Sequence, residues 1–209
     1  MQFNLVLSDV DSTLIEQEVI DLLGEIAGKG EAVAAITTRA MAGEIDFKSA
    51  LEERVQLLAG QDSSILLEVT SRITLSPGAI ELKEFCQRSG IRFGAVTGGF
   101  PQVLSKIAYF QDLDYLAGNS LEIDEGILTG RVTEPIIDRQ AKADHLKQFA
   151  IASGVDIKRT VAIGDGANDL LMIQSAGLGV AFNAKPILRE AAQLSIEGNL
   201  REVIQAISN

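Results

Sequence analysis

The feature that most limits how this chain can fold is a set of short apolar runs that end abruptly in polar turns. Phe3 to Ser8 (FNLVLS) stops at Asp9, Ile91 to Thr97 (IRFGAVT) at Gly98, and Thr160 to Gly164 (TVAIG) at Asp165. Leu178 to Phe182 (LGVAF) is similar, and Asp114 to Ala117 (DYLA) is a weaker version. Runs this short, without polar alternation, suit strands buried on both faces of a parallel sheet. Helical patterns lie between them. Ser76-Pro77 reads as an N-cap and first-turn proline ahead of a helix over Ala79 to Arg88, and another pattern runs from Asp138 to Ser153 and stops at Gly154. Strands alternating with helices predict a doubly wound, mostly parallel α/β sheet.

Residues 16–74 break the alternation, since they carry only helical patterns, separated by Gly28-Lys29-Gly30, Gly43 and Gly60-Gln61-Asp62. The expected organisation is a core of residues 1–15 and 75–209 with a small helical cap inserted at 16–74. A segment placed directly after the first strand would hang over the carboxyl ends of the strands, where open α/β sheets bind ligands. Glu122 to Val132, alternating around Asp124-Glu125-Gly126, predicts a β-hairpin extending from the core.

Eighteen basic and 29 acidic side chains give a net charge of −11 and an estimated pI of 4.6. Such a field repels phosphate backbones and anionic membranes, so nucleic acid and lipid are not expected partners. An anionic substrate must then be met by local cations. The lone Cys86 has no intrachain disulfide partner and reads as helix packing. Met1-Gln2-Phe3-Asn4 lacks a basic leader pattern and no apolar run is long enough to span a membrane, so a cytoplasmic monomer or homodimer, with no regulatory segment before the first strand, is expected.

Two aspartates in Asp9-Val10-Asp11-Ser12-Thr13 sit together at the first strand exit. Close like charges raise each other's pKa unless a cation neutralises them, and a hard divalent ion with oxygen ligands would do so. One aspartate could then act as a nucleophile in phosphoryl transfer; the alternative is a solvated acidic turn. Gly164-Asp165-Gly166-Ala167-Asn168-Asp169 repeats the arrangement at another strand exit, although ordinary helix capping would also use these residues. Thr97-Gly98-Gly99 offers a hydroxyl and backbone N–H groups to phosphate oxygens, or is a plain Gly-Gly turn. Lys142 shares its helical stripe with Leu146, Phe149 and Ala150, so it either meets a buried anion or snorkels to solvent. In the helical segment Arg54 sits on an apolar stripe with Phe47, Leu51, Val55 and Leu58. It suits a substrate carboxylate or phosphate, or pairs with Glu25 or Glu44. Glu18 could meet a substrate amine or merely favour a helix dipole. Met41 and Phe47 either shut the site against water or are core.

In order and spacing these motifs resemble the haloacid dehalogenase-like phosphatases: DVDST as the first motif, Thr97 the second, Lys142 the third and GDGAND the fourth. The resemblance implies a Rossmann-like core with Asp9 as nucleophile and Asp11 as general acid, then base. It implies Mg²⁺ held by Asp9, the Asp11 backbone carbonyl and Asp165, with Asp169 supporting from behind; the oxygen ligands leave Mn²⁺ open as the alternative, since both ions take octahedral oxygen sites. Thr97 and Lys142 would hold phosphoryl oxygens. DSTLIEQE, AMAGEIDFKSALEERV, TGGF and GDGANDLLM are similar to the phosphoserine phosphatase branch. That likeness implies hydrolysis of L-phosphoserine to L-serine and phosphate, the final step of serine biosynthesis. Glu18 would take the amino group, Arg54 the carboxylate, Met41 and Phe47 would close over the substrate, Gly98 would add a backbone contact and Asn168 would support the phosphate end. Thr97 stands where this branch more often has serine.

Three rivals remain at this level. The same intermediate could pass its phosphoryl group to homoserine, the substrate could be another small phosphomonoester, or the chain could sense phosphoserine without turning it over.

Overall fold

The structure, a computed structural model, describes residues 2–208. Eight strands form among them: β1 (Leu5–Ser8), β2 (Arg92–Val96), β3 (Tyr115–Ala117), β4 (Ser120–Asp124), β5 (Ile127–Thr133), β6 (Thr160–Gly164), β7 (Leu178–Phe182) and β8 (Leu194–Ile196). Six make one sheet in the order β3-β2-β1-β6-β7-β8, and every neighbouring pair is parallel. From central β1 the chain builds β2 and β3 on one side, then returns to build β6, β7 and β8 on the other. The reversal opens a crevice at the carboxyl ends of β1 and β6, the usual ligand position in such sheets. Ser8 lies opposite Ile163, so the chain leaves both strands side by side, at Asp9 and Asp165.

The α-helices are α1 (Val19–Ile26), α2 (Gly30–Met41), α3 (Phe47–Gln56), α4 (Ile65–Thr70), α5 (Ala79–Arg88), α6 (Pro101–Leu104), α7 (Ala108–Gln111), α8 (Arg139–Ala152), α9 (Leu170–Ser175), α10 (Pro186–Ala191) and α11 (Arg201–Ile207). Alternate strand residues serve two apolar layers, which is why the runs are continuous in sequence. Val6, Phe93, Val161 and Val180 pack with Leu82, Cys86 and Val203 of α5 and α11. Leu5, Leu7, Ala162 and Ala181 pack with Leu146, Phe149 and Ile173 of α8 and α9. Each large side chain fully buried in this way contributes about 1.5–3 kcal/mol.

Helix α5 starts differently from the expectation. Its N-cap is Gly78, at φ 85, and no side chain caps it. Ser76 contributes its backbone carbonyl to the Ala79 N–H at 3.0 Å instead. The left-handed turn needs glycine, because a Cβ at this position would also run into Asn199 and the backbone of Leu200 and Arg201. Helix α8 begins as the sequence suggests, with the Asp138 side chain accepting the Ala141 N–H at 2.8 Å.

Helices α1 to α4 lie outside the sheet. The two chain crossings that lead into and out of them run together: the Glu16 N–H donates to Thr74 O at 3.0 Å and the Ser76 N–H to Leu14 O at 2.9 Å. β4 and β5 form the expected hairpin, closed by Glu125-Gly126 at φ 46 and 83, the two positive values of a type I′ turn. The hairpin joins the helical segment rather than standing free: the Gly60 N–H donates to Leu128 O, and the Leu128 N–H to Gln61 O, both at 2.9 Å. Among the described residues no helix is long and apolar enough to cross a membrane.

Candidate active site

The chain turns sharply after β1, with Ser12 in the left-handed region at φ 57. Asp9 is pinned here. Its N–H donates to Ile163 O at 2.8 Å, and its Oδ1 accepts the Val10 N–H at 2.8 Å. The same Oδ1 lies 2.8 Å from Lys142 Nζ, which lies 2.7 Å from Asp169 Oδ1. All three side chains are buried. Lys142 is therefore the cation on the inward face of α8, and it meets two anions rather than snorkelling. Burial alone would lower its pKa, but Asp169 and Asp9 outweigh that and raise it.

Asp169 closes the second acidic turn on itself, since Oδ2 accepts the N–H groups of Asp165 and Gly166, both at 3.2 Å. Gly164 makes room for this: a Cβ there would overlap the Asp169 carboxylate. Glycine at 164 is thus a steric condition for delivering Asp169 to Lys142. Burial pushes Asp165 up to about 7, with the Asp169 charge adding to it, and burial followed by the Asp169 charge holds Asp9 well above the usual carboxylate range.

Asp11 has both oxygens engaged: Oδ1 accepts the Val19 N–H at 2.7 Å, and Oδ2 accepts the Thr97 hydroxyl at 2.7 Å. Thr97 Oγ1 in turn accepts the Gly99 N–H at 2.7 Å. Thr97 is fully buried, so its hydroxyl holds the Asp11 carboxyl in place here rather than pointing at the cavity. Burial, then the charge of Glu18, pushes Asp11 up to about 6, which keeps a carboxyl proton available close to neutral pH.

Asp9, Asp11 and Asp165 open on a cavity of about 610 Å³ whose opposite wall is the helical segment, with Glu18, Met41, Phe47 and Arg54. Gly98 and Asn168 line it too, and the Phe47 ring packs on Gly98. Arg54 is steered by its own helix and by α2: Nε donates to Ala50 O at 3.0 Å and Nη1 to Thr37 Oγ1 at 3.5 Å. It forms no ion pair with Glu25 or Glu44, which lie nearest Arg72 and Arg39 instead. Met41 is 70% exposed at the cavity edge, so its side chain is not core. The motifs leave Asp21, Arg139 and Lys185 unmarked, although all three line the cavity. Nor do they mark Asn119, which is fully buried: Nδ2 donates to Gly98 O at 2.8 Å and Oδ1 accepts the Ile137 N–H at 2.8 Å, tying the TGG turn to the lead-in of α8. A signal for Asp21 does exist in the sequence, since it stands three residues after Glu18 and shares a helix face with it.

The donor set fits a hard metal ion. Asp9, Asp165 and Asp169 place carboxylate oxygens within 4.8 Å of one another, and the raised pKa values of Asp9 and Asp165 mark a cluster short of positive charge. Among the described residues the Asp11 carbonyl oxygen accepts no hydrogen bond, which leaves it free to act as a ligand.

Comparison with known proteins agrees with this geometry. A family model described as haloacid dehalogenase-like hydrolase matches residues 6–174. The chain is 52% identical over 192 residues to a phosphoserine phosphatase of Streptomyces coelicolor, covering 92% of this chain but only 47% of that one, so it spans about half the length of that relative. It is 47% identical to a phosphoserine phosphatase of Streptococcus thermophilus, covering 97% of this chain and 95% of the other. A solved structure described as a phospho-aspartyl intermediate analogue of phosphoserine phosphatase superposes with a TM-score of 0.91 at 38% identity, covering 99% of this chain and 100% of that one. With its sheet order, its two acidic strand exits and its buried lysine, the chain belongs to the haloacid dehalogenase-like hydrolases.

Proposed function

We propose that the protein is a Mg²⁺-dependent phosphoserine phosphatase, acting in the cytoplasm on L-phosphoserine as the last step of serine formation. The observation that carries this reading is Lys142 bridging Asp9 and Asp169 at the strand reversal, facing a helical wall that bears Glu18 and Arg54. Relatives with phosphoserine phosphatase as their name support the choice of substrate.

The reaction follows from the residues. One oxygen of Asp9 is fixed by Lys142 and the Val10 N–H, which leaves Oδ2 as the attacking atom. It forms a bond to phosphorus as the bond to the serine oxygen breaks, and Asp11 gives its proton to that departing oxygen. The Asp11 carboxylate then takes a proton from water, whose oxygen attacks phosphorus and releases Asp9 and inorganic phosphate. Thr97 turns its O–H from Asp11 to a phosphoryl oxygen as Asp11 begins to act, and Lys142 neutralises charge beside the nucleophile. Asp9, Asp165 and the Asp11 carbonyl would hold Mg²⁺, with Asp169 behind them; the ion supplies charge neutralisation on the phosphoryl oxygens. Glu18 meets the substrate ammonium, Arg54 its carboxylate, Gly98 adds a backbone contact and Asn168 supports the phosphate end. Residues 16–74 act as a cap that opens for exchange and closes for chemistry, with Met41 and Phe47 at its lip.

The test is inorganic phosphate release from L-phosphoserine with Mg²⁺ and with EDTA, beside phosphothreonine and p-nitrophenyl phosphate. Metal-dependent release that strongly prefers phosphoserine supports the reading; release from the aryl phosphate alone rejects the substrate assignment.

A further inference from the structure

Lys142 cannot answer the charge of a bound phosphoryl group by itself. It lies 2.8 Å from Asp9 and 2.7 Å from Asp169 and is buried with them, so its charge is committed to those carboxylates. Asp9, Asp165 and Asp169 form one cluster of carboxylates, which Lys142 and a divalent ion together just neutralise. At the serine end Glu18 faces an ammonium and Arg54 a carboxylate, while Asp11 enters the first step protonated. A phosphomonoester brings about two further negative charges at neutral pH, and Asp21 adds another to the wall. The cation that receives the phosphoryl charge has to come from elsewhere on the cavity.

Besides Arg54, the cations lining the cavity are Lys185 and Arg139. Lys185 stands with the acidic cluster: its backbone N–H donates to Asp165 O at 2.9 Å, and its charge acts on the Asp165 carboxyl. Arg139 is uncommitted, since among the described residues its side chain forms no ion pair and donates no hydrogen bond. It is the first residue of α8, three before Lys142, a spacing that shares one helix face. Two residues upstream the Ile137 N–H donates to Asn119 Oδ1 at 2.8 Å, and Asn119 Nδ2 donates to Gly98 O at 2.8 Å, so the start of α8 is fixed against the TGG turn. Arg139 therefore stands on the wall with Gly98 and Gly99, at the phosphate end of the cavity, and it is exposed there to an entering anion.

We infer that Arg139 binds the phosphoryl group of the substrate, its guanidinium gripping phosphate oxygens beside the TGG turn while Lys142 and the metal neutralise the aspartates. A planar guanidinium holds two phosphate oxygens at once, which the Lys142 ammonium, already between two carboxylates, does not. The inference rests on the phosphatase reading of the cavity but not on the identity of the alcohol, because it concerns the phosphate alone. A contact at an exposed cation is screened by salt, which gives it a signature of its own.

The experiment measures binding of inorganic phosphate by calorimetry with Mg²⁺ present, together with kcat/KM for L-phosphoserine and for p-nitrophenyl phosphate, in the wild type, Arg139→Gln and Arg139→Lys. In Arg139→Gln phosphate affinity and both kcat/KM values fall about tenfold, as for a lost hydrogen bond to a charged group, and all three depend less on ionic strength than in the wild type. Glutamine suits an exposed first-turn position, so the melting temperature stays equal. Arg139→Lys, which keeps the charge without the fork, recovers part of the loss; no recovery overturns the inference. Phosphate affinity and salt dependence that stay put in Arg139→Gln overturn it too and leave the phosphatase reading standing. So does a loss confined to phosphoserine, which would place Arg139 at the serine end. A wild type that hydrolyses neither ester overturns the inference and the phosphatase reading at once.

Discussion

Asp11 accepts the Val19 N–H through Oδ1 at 2.7 Å, so the carboxyl proposed to protonate the leaving group also begins the first helix of the helical segment. Its other oxygen takes the Thr97 hydroxyl from the core. One side chain therefore links the sheet to the helical segment. Asp11→Asn keeps an acceptor for Val19 but removes the acid: turnover falls by about 10²-fold or more, with little change in melting temperature. Asp11→Ala loses the same activity and in addition about 0.5–2 kcal/mol relative to the amide, as an uncapped helix start does. Equal melting temperatures for the two variants would contradict the link.

Lys142 neutralises Asp9 and Asp169 inside the protein. Lys142→Ala leaves two buried carboxylates facing each other, which costs about 3–5 kcal/mol and abolishes turnover. Thermal melts with and without Mg²⁺ should recover part of the loss in the variant, because a cation between the same oxygens replaces some of the missing charge. A variant as stable as wild type in EDTA would contradict the account.

Arg54 donates to Ala50 O and Thr37 Oγ1 and forms no close ion pair, although the charges of Asp21, Glu18 and Asp11 act on it, Asp21 most strongly. Arg54→Ala should lower kcat/KM for phosphoserine by about tenfold to a hundredfold, the range for losing a charged hydrogen bond. Hydrolysis of p-nitrophenyl phosphate should fall much less. Equal losses on both substrates would remove Arg54 from substrate recognition.

Cys86 lies in the core beneath β2, where burial, with the Asp114 charge adding, pushes its thiol up to about 12. A raised pKa means a neutral thiol in the folded protein at pH 8, so a thiol reagent such as dithionitrobenzoate should react only after unfolding. The sign for stability follows: the contribution is complete below about pH 8.5, where an unfolded thiol ionises, and is lost as pH rises toward 12. Rapid labelling of the native protein at pH 8 would contradict this.

The elements that carry the site are the ones the sequence displays. β6 and β7 span the very residues of their apolar runs, because both faces are buried and a polar residue, Asp165 or Asn183, follows each run. Lys142 stands out by polarity on an apolar stripe. Other features are written only in three dimensions. β8, α6 and α7 are too short to show a period. The start of α5 is set by what crowds Gly78 from α11, far along the chain. The docking of the hairpin on the helical segment depends on backbone groups that no side-chain pattern reveals. Asp21 looks like any first-turn acid until its surroundings show that Oδ1 has no donor.

The central claim is that the phosphoryl group passes through Asp9, and trapping that bond tests it most directly. Enzyme quenched during turnover of L-phosphoserine with Mg²⁺ is reduced with borohydride, which converts an acyl phosphate to an alcohol, and digested for peptide mass spectrometry. The account predicts homoserine at position 9, absent without substrate and absent in Asp9→Asn. Turnover with position 9 recovered only as aspartate, or homoserine appearing at another carboxylate, would contradict it.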